Sequence, residues 1–497
     1  MKKNFRNIFY MCAVLAALGT GCTKFKDLTL NPNQPTQSVP SLILTGVEAD
    51  AFQFNPILGY ETRASQYLVS DNSQQADQSY QWDTTDYWRY YNTMRNVEQM
   101  RIEAERTSAP VYAVLAKFFK AYCFAELSKQ VGDIPMSQAL QGKSGDYTPA
   151  YDPQETVMDS CLMLLEQANA EIRSLIQSGN PPVISGDIIY NGDLTKWQKL
   201  FNSYRLRLLI DLSKKVADNV LNVKTQFATI FNDPGQYPVF TSNSDAAIFH
   251  WYDKDGDRYP RFYIPANMDY YRFGSTYTQY MRAYNDPRMM VVGVMTQVAA
   301  DAGKQPSDIT AYNGLSSGLS ISDIYNKKDS ASALNVARYS TPTGEPMIIV
   351  GYPELCFNIA EAINRGWIAG DANAYYQSGI RASMRFYQEN GGQITDAQIS
   401  AYLTQPQVQY NGDLNNILIQ KYLSFFNNSG WEGFYNILRT GVPALAVGPG
   451  NGNNGKIPDR WMYPQTEYTY NAQNVKAAIQ RQFGGSDDRN GVLWIYQ

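Results

Sequence analysis

Apolar residues recur at three-and-four spacing in a series of long segments, separated by stretches where that rhythm disappears. Val114, Leu115, Phe118, Phe119, Tyr122 and Ala125 share a face and predict a helix over 113–129, stopped by Gly132 and Pro135. Ala116, Ala121 and Ala125 are small enough to let a neighbouring helix approach closely. A second helix is predicted over 153–176, with Val157, Cys161, Leu164, Leu165 and Ala168 on one side. Asp152 is placed to cap it, and Pro153 suits its first helical position. Trp197, Leu200, Phe201, Tyr204, Leu208 and Leu212 predict a third over 197–215, with Asp193 or Thr195 as cap. Further helices are expected over 42–52 and 86–100, the latter turning Trp88 and Tyr91 toward the core. Two helix pairs follow, 353–366 with 373–389 and 414–426 with 431–439.

Paired helices with small residues at their crossings predict helical-repeat packing, although no strict 34-residue period is present. Between 216 and 350 Gly, Pro, Asn, Asp and Tyr dominate instead, and 441–455 has the same texture. Long irregular segments of this kind usually carry function. The expected fold is therefore mostly α, a tetratricopeptide-like helix-pair scaffold bearing a large irregular, loop-rich ligand-binding region.

The amino terminus has a different pattern. Lys2, Lys3 and Arg6 precede an apolar run over 8–18, and Gly19, Thr20 and Gly21 lead into Cys22. This is the layout of a secretory signal, too short to span a bilayer, which takes about 20 apolar residues. A cysteine directly after small residues points to a bacterial lipoprotein, although Gly19 stands where leucine is usual. The expected organisation is a signal peptide over 1–21, a lipidated Cys22 with a tether over 22–40, and one domain over 41–497. More than one acyl chain anchors stably. Such a protein works outside the cytoplasm, without ATP or NAD.

Composition narrows the chemistry. A net charge of −4 with both signs mixed leaves no electrostatic footprint for nucleic acid or anionic lipid. Cys123, Cys161 and Cys356 form no CxxC pair and sit among apolar residues, which favours buried thiols over a zinc site. His250 is the single histidine and argues against histidine-based catalysis. Asp253-Lys254-Asp255-Gly256-Asp257 resembles the start of a calcium loop, but position twelve is Ile264 where an EF-hand needs a glutamate. No Walker loop or zinc-protease motif is present. Glycoside hydrolysis needs only two carboxylates, which 46 acidic residues leave open. No catalytic residue, metal or cofactor is assigned.

Aromatic content changes the picture most. The chain holds 37 Tyr, 8 Trp and 21 Phe, more rings than ligand contacts require, so most must fill the core. The remainder suit a neutral polar ligand, since a ring packs on the apolar face of a sugar while amides and carboxylates take its hydroxyls. Two clusters lie in loop-like sequence. Tyr80 and Trp82 precede the helix over 86–100, and Tyr259, Tyr263, Tyr270 and Tyr271 are interrupted by Pro260 and Pro265. These six are the candidate ligand-binding residues.

Several segments together resemble the SusD/RagB family of nutrient-binding outer-membrane lipoproteins from Bacteroidetes. They are NPNQPT over 31–36, Gly132-Asp133-Ile134-Pro135, Tyr151-Asp152-Pro153-Gln154, GDLTKWQKLFNSYRLRLL from Gly192, Asn285-Asp286-Pro287-Arg288, YPELCFNIAEAINRGW from Tyr352, GWEGFYNILRTGVP from Gly430, and Tyr463-Pro464 with 471–485. The resemblance implies helix pairs supporting a variable binding region, surface exposure, and a SusC-like TonB-dependent outer-membrane transporter as partner. It implies a non-catalytic capture protein for oligosaccharides or, in RagB-like members, peptides. A surface glycosidase is the remaining alternative.

Overall fold

A computed structural model describes residues 37–52, 57–73, 75–85 and 87–497. Cys22, the signal segment and the 31–36 stretch lie outside the described residues. Long helices carry the scaffold: α1 Pro40–Phe52, α2 Tyr90–Arg106, α3 Pro110–Val131, α4 Gln154–Ile176, α5 Leu194–Asp211, α6 Tyr352–Asn364, α7 Ala372–Glu389, α8 Leu414–Ser424, α9 Glu432–Thr440 and α10 Ala472–Phe483. Helices α1 to α5 pack on one another in sequence order, α6 pairs with α7 and packs on α8, and α5 joins the two groups through α6 and α9.

α3 is the central helix. Pro110 opens it, and almost all of its surface is buried, as expected of a helix apolar on every side. It ends at Gly132, where φ is 94°, a left-handed conformation that favours glycine. At α5 the cap is Asp193, whose side chain accepts from the amides of Thr195 and Lys196. The cap expected from Asp152 is not formed. Its Oδ2 accepts instead from the amides of Met136 and Ser137, at 2.9 and 2.8 Å. Asp133 takes over at α4, accepting from Gln154 N at 2.8 Å. A carboxylate close to two loop amides satisfies them in preference to the helix start.

The 216–350 segment contains short helices and three of the four strands found among the described residues, β2 Ala247–Phe249, β3 Tyr271–Phe273 and β4 Met347–Val350. β2 pairs with β4, and β3 reaches back to β1 Leu68–Ser70, antiparallel, with Leu68 opposite Phe273 and Ser70 opposite Tyr271. The irregular region is thereby tied to the amino-terminal scaffold. Asp286 and Arg288 fix it to the helix pairs. The two are fully buried and paired at 2.6 Å, and Arg288 also donates to Ser383 on α7 and Gln420 on α8. Cys123, Cys161 and Cys356 are free and buried, and burial pushes the Cys356 thiol up to about 12.

Charged side chains run through the same core. Lys129 on α3 lies 2.9 Å from Glu126, 3.4 Å from Asp211 on α5 and 2.8 Å from Glu432 on α9. Arg207 pairs with Glu354, and Arg439 with Glu361. The sequence stretches that carry the family resemblance therefore supply caps and buried ion pairs of the scaffold.

Candidate functional site

The six candidate aromatics divide by burial. Tyr80 is 1% exposed and adopts a positive φ of 59°. Its hydroxyl donates to Ala64 O and accepts from Gln66 Nε2, both at 2.9 Å. Trp82 lies parallel to Trp461 at 4.7 Å between ring centres and meets Trp431 and Phe434 edge-on. Its indole N–H donates to Arg460 O at 3.1 Å. Tyr259 is fully buried, edge-on to Trp251 at 4.9 Å, with Gly344 so close that a Cβ there would lie 2.2 Å from the ring. These three placements correct the sequence expectation. Each ring comes from loop sequence, but its loop folds inward, and the polar groups of Tyr80 and Trp82 bond to the protein. Their faces are closed to a ligand.

Tyr263 and Tyr270 are 56% and 46% exposed. They follow from local geometry: Pro260 and Pro265 open two short 3₁₀ turns, Pro260–Phe262 and Pro265–Tyr270, which bury Arg261 and Met268 and leave the tyrosines outward. Tyr271 begins β3 and is half-buried. The Arg63 guanidinium lies 5.3 Å from its ring centre and 5.7 Å from that of Tyr60, within cation–π range. Arg63 is held by Asp77 at 2.5 Å and by Leu58 O at 3.1 Å. Tyr60, 52% exposed, was not singled out in the sequence because it stands alone, away from both aromatic clusters. Only the β1–β3 pairing brings it beside Tyr271.

The acids beside these rings are buried and paired. Burial raises the Asp77 carboxyl, and Arg63 only partly opposes this. Burial likewise raises Asp71, against the pull of Arg272 at 3.1 Å. Burial lowers the Arg261 guanidinium. Each acid faces a fixed cation, so the surface offers tyrosine faces and hydroxyls edged by paired charges. In the 253–257 loop, Asp253 and Asp255 pair with Arg258, and Asp257 lies 3.4 Å from Lys254. The acids that resembled a calcium loop thus neutralise neighbouring cations. Among the described residues no group of three His, Cys, Asp or Glu side chains is placed to hold a metal ion, and no helix is long and apolar enough to cross a membrane.

The family model described as starch-binding, associating with outer membrane, matches residues 32–464. The chain belongs to the SusD-like family. Solved relatives include a SusD homologue from Bacteroides fragilis NCTC 9343, with 38% identity, 93% of this chain and 100% of that one covered, and a TM-score of 0.83. Another, from Bacteroides vulgatus ATCC 8482, is described as a candidate outer-membrane protein proposed to take part in nutrient binding. It is 36% identical, with 93% of this chain and 100% of that one covered and a TM-score of 0.84. A chitin-binding SusD homologue from Flavobacterium johnsoniae shares the fold at 20% identity, with 92% and 98% covered and a TM-score of 0.72. No curated protein matches the sequence at a significant level. The expected helix-pair fold and family are thus both found, and the family's description associates its members with the outer membrane.

Proposed function

We propose that this SusD-like protein is a non-catalytic, lipid-anchored capture protein that binds oligosaccharides outside the cell and passes them to a TonB-dependent SusC-like transporter. The observation that carries the reading is the group of solvent-facing tyrosines on the proline-opened turns, Tyr263 and Tyr270, beside half-buried Tyr271. Such rings pack on the apolar faces of sugars, and each contact contributes about 0.5–1.5 kcal/mol beyond burial. A few contacts give micromolar to millimolar affinity, which suits a protein that must release its ligand. Lipidation at Cys22 supplies the anchor. Removing the thiol by Cys22→Ala should shift the protein from the membrane fraction to the soluble one, with thermal unfolding and ligand affinity unchanged. A misfolded variant would contradict that separation of anchor from binding.

Calorimetric titration against a panel of oligosaccharides and peptide mixtures, with the products checked for turnover, tests the reading. Saturable heat with intact glycans is expected. Heat with peptides alone would assign the RagB-like alternative, and turnover abolished by a carboxylate substitution would assign a glycosidase.

A further inference from the structure

A groove distant in sequence from the tyrosine surface has different chemistry. A cavity of about 730 Å³ lies between α2, α3 and the 136–143 segment, and it shares Lys120, Met136 and Ser137 with a second cavity of about 250 Å³ along α4. One wall is a single stripe of α2 carrying Arg95, Glu98 and Ile102, and the far wall is a stripe of α4 carrying Thr156, Ser160, Met163 and Gln167. Residues three, four and seven apart share a helix face, so the two stripes line one continuous channel. Lys143 reaches it from the Gln141–Ser144 turn, which starts at Leu140 in the left-handed conformation, φ 65°.

The charges are unbalanced. Among the described residues Arg95, Lys120 and Lys143 form no ion pair, whereas Glu98 is taken by Arg101 at 2.6 Å. The other acid, Asp152, spends its oxygens on the Met136 and Ser137 amides and on the Ser137 hydroxyl, at 2.9, 2.8 and 2.7 Å. Arg95, Lys120 and Lys143 are therefore three cations without an ion-pair partner against one carboxylate, Asp152, that is not paired to a cation. Apolar groups sit among them, with Ile102, Leu140 and Met163 exposed by 40%, 37% and 52%.

The channel has no aromatic side chain in its lining. The nearest exposed ring, Tyr147, stands at its rim against Gly142. Amides of Asn96, Gln99, Gln141 and Gln167 line it instead, matching the donors and acceptors of an extended backbone. We infer that this groove docks an acidic, extended polypeptide segment of a partner protein, its carboxylates paired with Arg95, Lys120 and Lys143 and its apolar side chains against Ile102, Leu140 and Met163. The groove is separate from the tyrosine surface, so partner docking and glycan capture proceed on the same molecule at once.

Fluorescence anisotropy with a labelled peptide of repeating Glu-Gly-Leu units, its Gln-Gly-Leu counterpart, and oligogalacturonate as a non-peptide polyanion tests the inference. The acidic peptide should bind at least about tenfold more tightly than the neutral one. Charge reversal by Arg95→Glu, Lys120→Glu and Lys143→Glu together should weaken it by about tenfold or more, the sum expected of three exposed pairs. Raising salt from about 0.05 M to about 0.5 M should weaken it as well. Thermal unfolding of the variant checks its fold, and Lys143→Glu alone, on an exposed turn, keeps the test open if the triple variant does not fold. Equal binding of acidic and neutral peptides, or indifference to charge reversal, would overturn the inference. Oligogalacturonate binding in the groove as tightly as the acidic peptide would assign the site to an anionic glycan and overturn it equally.

Discussion

Replacing Lys129 with methionine isolates the contribution of the buried ionic core. The substitution keeps an unbranched apolar stem and removes only the ammonium, which is fully buried and lies 2.8 to 3.4 Å from Glu432, Glu126 and Asp211. At an effective dielectric of about 20, unit charges 2.8 Å apart attract by about 6 kcal/mol. Desolvation of the ions offsets much of that, and removing one partner of a buried ionic group costs about 3–5 kcal/mol because carboxylates are left without a cation. Lys129→Met should therefore lower the urea midpoint by an amount equivalent to about 3–5 kcal/mol at unchanged slope. Adding Glu432→Gln should recover part of the loss, since it removes one stranded charge. A loss below about 1 kcal/mol, or a double variant less stable than the single by the full cost of a second broken pair, would refute the assignment of Lys129 as the shared cation.

The same cluster has a pH signature. Burial and the neighbouring charge of Glu432 push Asp211 up to about 8, from 3.8 for a free carboxyl. Burial also works against Glu432, but Lys129 and Arg207 outweigh it and hold that carboxyl low. A raised folded value means stabilisation that is complete below about pH 4 and is lost as pH rises toward about 8. Asp211→Asn should flatten that decline in thermal-unfolding scans from pH 4 to 8, and curves parallel to the parent would contradict it. Trp82→Ala should cost about 3–5 kcal/mol, the range for emptying a buried indole site, read as a lowered unfolding midpoint. A variant that loses ligand affinity at parental stability would show instead that Trp82 faces the ligand.

The scaffold was legible in the sequence because helical burial has a period. Val114 to Ala125 and Trp197 to Leu212 mark buried stripes whatever they pack against, and the helix ends fall within a few residues of those stripes. The cap at α4 was misassigned because Asp152 and Asp133 are both close to Gln154, and the choice between them depends on loop amides that sequence spacing does not order. The site was only half legible for a related reason. Loop sequence shows that Tyr80, Trp82 and Tyr259 lie outside helices, but not that their loops turn inward onto Gln66, Trp461 and Gly344. Tyr263 and Tyr270 stay outside because short 3₁₀ turns alternate buried and exposed positions over three residues. Tyr60 gave no signal, since its neighbour Tyr271 is more than 200 positions away and only the β1–β3 register joins them. The unpaired cations of the α2–α4 groove were equally silent, as net charge reports a sum and not which ions are already partnered.

The central claim is that outward tyrosines, and not the buried ones, hold the ligand. Its most direct test is the affinity of a Tyr263→Ala, Tyr270→Ala variant for the oligosaccharide that binds the parent protein most tightly. The account predicts a loss of about tenfold or more, from two stacking contacts of about 0.5–1.5 kcal/mol each, with unchanged thermal unfolding because both rings are exposed. Unchanged affinity, or a parent protein that binds no glycan, would contradict it.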